Sequence, residues 1–216
     1  KVIIIMGPTA IGKTSLSIKL AKKFNAEIIS TDSVMVYKHF NIGSSKPTIS
    51  ERDGVIHHLI DICNPIDNYS AGQFSHDASK IIKPGKNYIF IGGTMMYAHH
   101  FLKHQNTQPI SDVEIRNQLL KRLSNEGLDS LWSELIKTDQ RYLNRMAKND
   151  TQRILRALEV YQSTGRSLFD HWNDQTNSPQ ENNLVIKMVP KDRDHHKSII
   201  YQRLIQMIDL GFIEEV

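Results

Sequence analysis

The sequence has little of several things, and each scarcity excludes something. One cysteine in 216 residues, Cys63, rules out an internal disulfide and a thiolate metal cluster and suits a reducing compartment. Its thiol reads as a buried structural one. Apolar runs stop at about five residues, as in Val2–Met6, against the roughly 20 that a membrane-spanning helix needs. With no signal-peptide pattern before that run, the expectation is a cytoplasmic monomer with no membrane contact. Aromatic residues make up 7%, charged residues 23% and hydrophobic residues 39%, which excludes a disordered, collagen-like or coiled-coil chain and leaves one large or two small globular domains. Acidic residues are outnumbered, 23 against 27 Lys+Arg, so the net charge of +4 permits a polyanionic partner without demanding one.

Positive charge is concentrated locally. Between Arg141 and Arg166 stand Arg141, Arg145, Lys148, Arg153, Arg156 and Arg166, against Asp150 and Glu159. Charge alone leaves a solvated helix face as open a reading as a polyanion site.

Along the chain, Val2–Met6 is a β-branched run ending at Gly7, and Thr14–Phe24 then carries helical spacing. Residues 27–30 (EIIS) read as a second strand stopping at Thr31-Asp32-Ser33, and residues 87–91 (NYIFI) as a third stopping at Gly92-Gly93-Thr94. Apolar strands alternating with helices predict a parallel sheet with helices on both faces and ligands at the carboxyl ends of the strands. From Ser111 to Gly165 only helical periodicity appears, and Thr176–Asn183 reads as a polar loop. A return strand, LVIKMV, and a helix from about Asp194 to Leu210 follow. The expected organisation is a core from 1–106, a helical insertion over 107–183 and a return to the core over 184–216.

Gly7-Pro8-Thr9-Ala10-Ile11-Gly12-Lys13-Thr14 matches G-x-x-x-x-G-K-[ST] between a strand and a helix, the setting in which that motif is a phosphate loop. Inward-turned backbone N–H groups and the helix N-terminus attract phosphate oxygens, Lys13 adds a point charge, and the Thr14 hydroxyl suits Mg²⁺. The fold class that follows is α/β, a P-loop NTPase-like parallel sheet flanked by helices, with an all-helical insertion domain.

A phosphate loop leaves open which bond breaks. Asp32, ending the second strand, is placed to accept a proton from a nucleophile, or else simply caps its turn. The third strand ends in Gly-Gly-Thr where an ordinary ATPase or GTPase carries an acidic Mg²⁺ ligand. From the residues alone, the chemistry suits a small-molecule kinase.

Seven motifs in order carry more: GPTAIGKT at 7–14, STDSVMVYK at 30–38, NIGSSKP at 41–47, HHLIDI at 57–62, YSAGQF at 69–74, GGTMMY at 92–97 and NDTQRILRALEVYQSTGR at 149–166. Together they resemble the tRNA dimethylallyltransferase family, also called tRNA isopentenyltransferases. The resemblance implies transfer of a dimethylallyl group from dimethylallyl diphosphate to the exocyclic amine of the adenosine 3′ of the anticodon in the tRNA anticodon stem-loop. It implies that Gly7–Thr14 and Arg203 hold the diphosphate with Mg²⁺, that Asp32 accepts from the amine, and that Thr94 sits where amine and diphosphate meet. It also implies tRNA contacts at Asp32, Ser33, Val34, Met35, Thr94, Arg116, Gln152, Arg153, Ile154, Leu155 and Arg156. Besides the kinase, an isopentenyltransferase acting on free adenine nucleotides and a non-catalytic binding module remain as rivals.

The chain departs from the family pattern in places. The stretch Asp77–Gly92 is shorter than usual and contains Pro84-Gly85, which predicts a truncated helix before the third strand. Ile199 stands where a basic residue is common, and family members continue with further helices beyond Gly211–Val216. The adjacent pairs His57-His58, His99-His100 and His195-His196 do not suggest zinc, since sequence neighbours point apart. Met95, Met96 and Tyr97 are expected to line or support an apolar channel, and Trp132 and Trp172 to lie in the core or an interface.

Overall fold

The computed structural model describes residues 1–102, 111–173 and 183–216. In chain order the elements are β1 (Val2–Met6), α1 (Lys13–Phe24), β2 (Ala26–Ser30), β3 (His57–His58), α2 (Ala71–Ile81), β4 (Asn87–Gly92) and α3 (Met95–Leu102). They continue with α4 (Val113–Glu126), α5 (Leu128–Thr138), α6 (Tyr142–Arg145), α7 (Thr151–Thr164), α8 (Leu168–Asn173), β5 (Asn183–Lys187), α9 (Arg193–Asp209) and α10 (Phe212–Glu215). Two compact units result, one from Lys1–Asn106 with Ser178–Val216 and the other from Thr107–Asn177.

The first unit is a five-stranded sheet in the order β3-β2-β4-β1-β5, with every pairing parallel. Side chains alternate across it as strand geometry requires. Val2, Ile4, Ile29, Tyr88 and Phe90 pack on one face with Phe74 and Ala78 of α2 and Tyr97, Ala98 and Phe101 of α3. Ile5, Ile28 and Ile89 pack on the other with Ala21 of α1, flanked by Leu16, Ile18 and Leu20. The register sets the carboxyl ends level, Met6 opposite both Gly92 and Lys187 and Ser30 opposite Ile91.

Local signals explain the helix ends. The Ser70 hydroxyl caps α2 by accepting from the Gln73 N–H, and α2 stops at Ile81, short of Pro84-Gly85. Asp112 and Asp150 cap α4 and α7 in the same way, and α7 closes on Gly165 in a left-handed conformation. The second unit is entirely helical among its described residues, around Leu119, Leu131, Trp132, Leu135, Tyr142, Ile154, Leu155 and Leu158.

Several expectations need correction. Strand β3, two residues long, has no periodicity to announce it and exists because Ile28 and Ile29 pair with His57 and His58. β4 runs through Gly92 instead of stopping before it. The return strand opens at Asn183 and leaves Leu184 and Val185 exposed, because β5 is an edge strand. Cys63 is only half-buried; burial, then the Asp67 and Asp77 carboxylates, push its thiol pKa up, which disfavours the thiolate. Trp132 lies in the helical core, one of the two places expected for it, and Trp172 is exposed with its ring edge-on to Phe169, a position that leaves the interface alternative open. Of the expected loop Thr176–Asn183, all but Asn183 lies outside the described residues.

At Gly92 the end of β4 lies hard against Thr31, the residue that follows β2. A Cβ there would stand 2.6 Å from the Thr31 carbonyl carbon and 2.8 Å from its oxygen, whereas a Cβ on Gly93 would meet nothing within 4 Å. Gly92→Ala is therefore expected to destabilise the protein by about 1–3 kcal/mol through forced backbone separation, and Gly93→Ala by less than about 0.5 kcal/mol. Urea denaturation of the two variants side by side checks the difference.

Candidate active site

Chain exits from β1, β2 and β4 meet at the level carboxyl edge of the sheet. From β1 the phosphate loop turns through Ala10 and Gly12, both with positive φ, into α1. Lys13 Nζ donates to the carbonyls of Gly7 (2.9 Å) and Pro8 (2.7 Å), which holds the ammonium across the loop. Burial lowers the Lys13 pKa from the ordinary lysine value, the neighbouring Arg203 guanidinium pushes the same way, and the Asp32 carboxylate opposes both. Thus a lysine, an arginine and a carboxylate share one electrostatic neighbourhood.

From β2 the chain enters a turn at Asp32. Asp32 Oδ1 accepts from the N–H groups of Val34 (2.9 Å) and Met35 (3.3 Å), so the turn-capping role is real. Capping and chemistry are not exclusive here, since Oδ2 has no hydrogen-bond partner among the described residues. From β4, Thr94 Oγ1 accepts from the Ser33 N–H at 3.2 Å and bonds the Ser33 hydroxyl at 3.1 Å. Thr94 thereby pins the β4 exit to the residue next to Asp32.

Helix α9 brings a further contribution. His196 Nε2 donates to the Thr9 carbonyl at 2.9 Å, and Arg203 Nη1 approaches Thr9 Oγ1 at 3.4 Å. Residues 196, 199 and 203 fall on one helical face, so His196 and Ile199 share it with Arg203. His196 was missed in the sequence, where the pair His195-His196 drew attention only as a metal question; the seven-residue spacing to Arg203 was the available signal. Tyr97 is buried, stacked on Phe74 at 4.9 Å with its hydroxyl on the Tyr69 carbonyl, so it supports the site from below instead of lining it. Met95 and Met96 are exposed.

A hollow of about 430 Å³ lies elsewhere, beside Ala26 and Asn87 where β2 and β4 begin. The ion pairs Lys22–Asp53 and Lys86–Glu27 occupy its wall, so its charges are already matched.

The profile of the family described as IPP transferase matches residues 35–216, and that described as isopentenyl transferase matches residues 1–67. This chain belongs to the IPP transferase family. A curated tRNA dimethylallyltransferase of Francisella philomiragia is 41% identical over 98% of this chain and 70% of its own length. Among solved structures, a tRNA isopentenylpyrophosphate transferase of Bacillus halodurans shares 33% identity and a TM-score of 0.63, over 100% of this chain and 68% of that one. A eukaryotic dimethylallyltransferase solved acting on tRNA shares 28% identity and a TM-score of 0.84, over 100% of this chain and 54% of that one.

Within this IPP transferase the helical unit holds the remaining expected site residues. Gln152 and Arg153 are exposed on α7, whereas Ile154 and Leu155 are buried in the helical core. The side chains of those two pack inward with Leu158, as the helical spacing of the three allows. The basic stretch is also less free than its composition suggests. Arg153 pairs with Asp150 (2.9 Å), Arg141 with Asp139 (2.7 Å) and Asp170 (2.5 Å), and Lys148 with Asp129 (2.9 Å). The Arg141 guanidinium holds the Asp139 carboxyl down at about 2.

Glu159, missed in the sequence, organises two of the arginines. Its side chain is 2% exposed and pairs with Arg156 Nη1 at 2.9 Å and Arg116 Nη1 at 3.6 Å. It also accepts from the Ser111 hydroxyl at 2.6 Å and the Asp112 N–H at 2.9 Å, which anchors the start of α4. Its place three residues after Arg156 was the only local clue. Arg156→Ala removes the closest cation from a buried carboxylate and is expected to cost about 1–3 kcal/mol of stability. Arg153→Ala breaks an exposed pair and is expected to cost less than about 0.5 kcal/mol. Thermal or urea unfolding of both variants checks the contrast.

Proposed function

We propose that this chain transfers the dimethylallyl group of dimethylallyl diphosphate to the N6 amine of the adenosine 3′-adjacent to the anticodon in tRNA, releasing diphosphate. The observation that carries the reading is the joint placement of Lys13, Arg203 and Asp32 at one sheet edge, in a family whose relatives are tRNA dimethylallyltransferases. In the reaction the allylic C–O bond breaks with its electron pair passing to diphosphate oxygen, the N6 lone pair forms the new C–N bond, and the amine loses a proton.

Chain groups match those needs. Lys13, Arg203 and the loop amides from Thr9 to Thr14 stabilise negative charge growing on the leaving diphosphate. The unengaged Asp32 Oδ2 accepts the amine proton, and Thr94 is fixed on Ser33, the residue next to Asp32. An exocyclic amine is a weak nucleophile, so orientation against the allylic carbon supplies much of the acceleration, with effective molarities of about 10⁵ M or more available to aligned groups. The anticodon-loop adenosine reaches the site by leaving its stack, which single-stranded nucleotides do cheaply.

A magnesium ion fits this site as a substrate-borne ion. Among the described residues no cluster of three or more His, Cys, Asp or Glu could cage a metal, while the exposed Thr14 hydroxyl beside Lys13 offers the single protein ligand that a diphosphate-bound Mg²⁺ needs. When bound, Mg²⁺ adds charge neutralisation to the leaving group. Arg116, Gln152, Arg153 and Arg156 belong in this reading to tRNA binding, as backbone contacts that orient the RNA. No helix among the described residues is long and apolar enough to cross a membrane.

Incubation with Mg²⁺, dimethylallyl diphosphate and an anticodon stem-loop, followed by nuclease digestion and mass spectrometry, should show one dimethylallyl group on the adenosine. A product on free AMP but none on RNA moves the assignment to an adenine-nucleotide transferase; ATP-dependent phosphorylation of a small molecule moves it to a kinase. Asp32→Asn keeps an oxygen to cap Val34 and Met35 but removes the charge. Turnover should fall by about 10²-fold or more with stability nearly unchanged, and unaltered turnover removes Asp32 from proton transfer.

A further inference from the structure

Helix α9 buries none of its residues completely, yet it carries Arg203 to the phosphate loop. Packing alone therefore fixes this helix weakly, and its position depends on what holds its ends. Towards its start, His196 bonds the Thr9 carbonyl. Past its end, α10 places Glu215 on the loop that follows the Asp32 turn. Glu215 Oε2 accepts from the N–H groups of Asn41 (2.7 Å) and Ile42 (2.7 Å), and Oε1 from that of Gly43 (2.9 Å). Three successive amides converging on one carboxylate form an anion nest with charge-assisted bonds. The Phe212 ring lies directly over Gly43, so close that a Cβ there would stand 2.3 Å from a ring carbon.

The nest is anchored in turn. Lys46, its side chain 4% exposed, donates to the Tyr37 carbonyl (2.8 Å), Asn41 Oδ1 (3.0 Å) and Asp61 Oδ1 (2.6 Å). The Tyr37 N–H bonds the Val34 carbonyl at 3.0 Å, and the Val34 N–H bonds Asp32. A series of polar contacts thus leads from Asp32 through Lys46 and the nest to Glu215, which the backbone of α10 and α9 joins to Arg203.

We propose that Glu215 is a positioning residue for the diphosphate site, latching the end of α9 to the 41–43 loop and so holding Arg203 on the phosphate loop at a set distance from Asp32. The proposal rests on the reading of that loop and Arg203 as the diphosphate site. Its effect passes through Arg203, which separates it from general support of the fold.

Calorimetric binding of inorganic pyrophosphate with Mg²⁺ tests it in the wild type, Glu215→Ala, Glu215→Gln, Gly43→Ala, Arg203→Ala and the Glu215→Ala/Arg203→Ala double variant. Glu215→Ala should weaken binding about tenfold. Glu215→Gln, whose amide oxygen still accepts from the nest, should recover part of that, and Gly43→Ala should reproduce the loss by driving off Phe212. The double variant should bind no worse than Arg203→Ala alone, because a residue acting through Arg203 has nothing left to position. Backbone amides of residues 193–209 should exchange hydrogen faster in Glu215→Ala. Additive losses in the double variant, or unchanged affinity in Glu215→Ala, overturn the proposal even if the wild type prenylates RNA. Non-additive losses in a wild type that transfers no prenyl group uphold the latch while the functional reading falls. A wild type that binds no pyrophosphate overturns both.

Discussion

The parallel register of β1, β4 and β2 is the constraint on which the site depends. With Met6 opposite Gly92 and Ser30 opposite Ile91, three exits reach the same level and their next residues face one another. A slip of one residue would exchange the two faces, sending Ile4 and Phe90 where Ile5 and Ile89 belong. Hydrophobic burial on both faces therefore enforces the alignment that brings Lys13, Asp32 and Thr94 together. Chemistry at the rim depends on apolar packing beneath it.

Like charges are kept close by different means in the two units. At the sheet edge, Lys13 and Arg203 repel each other, and Asp32 with the loop carbonyls of Gly7 and Pro8 offsets that repulsion. In the helical unit, buried Glu159 pairs with both Arg116 and Arg156 and offsets the repulsion between them. A carboxylate this buried, with one side chain on each of two helices, ties electrostatics to packing.

What could be read from the sequence was what local chemistry decides. The strand–loop–helix around Lys13, the glycine exit from β4 and the capping residues all have signals a few residues long. The core face of α7 did too: the spacing of Ile154, Leu155 and Leu158 turns them inward, beside exposed Gln152 and Arg153 in the same motif. Glu159, His196 and Glu215 were not legible in their roles because each depends on a partner brought close only by the fold. Ser111 is 48 positions from Glu159, Thr9 187 from His196, and Asn41 174 from Glu215. Strand β3 escaped notice for a related reason, being only as long as its pairing with β2.

The sheet also has an order of assembly. β1 pairs with β4, some 85 residues on, but its other neighbour is β5, where Val2 meets Asn183 only after the whole helical unit has intervened. As the chain emerges from the ribosome, β1, β2 and β4 are complete while one edge of β1 still lacks its partner. Thr9 of the phosphate loop is thus synthesised 194 positions ahead of Arg203, whose guanidinium shares its charge. Until α9 arrives, the nascent protein holds a phosphate loop with one of its two cations, and an open strand edge beside it that a nearby chain can pair with.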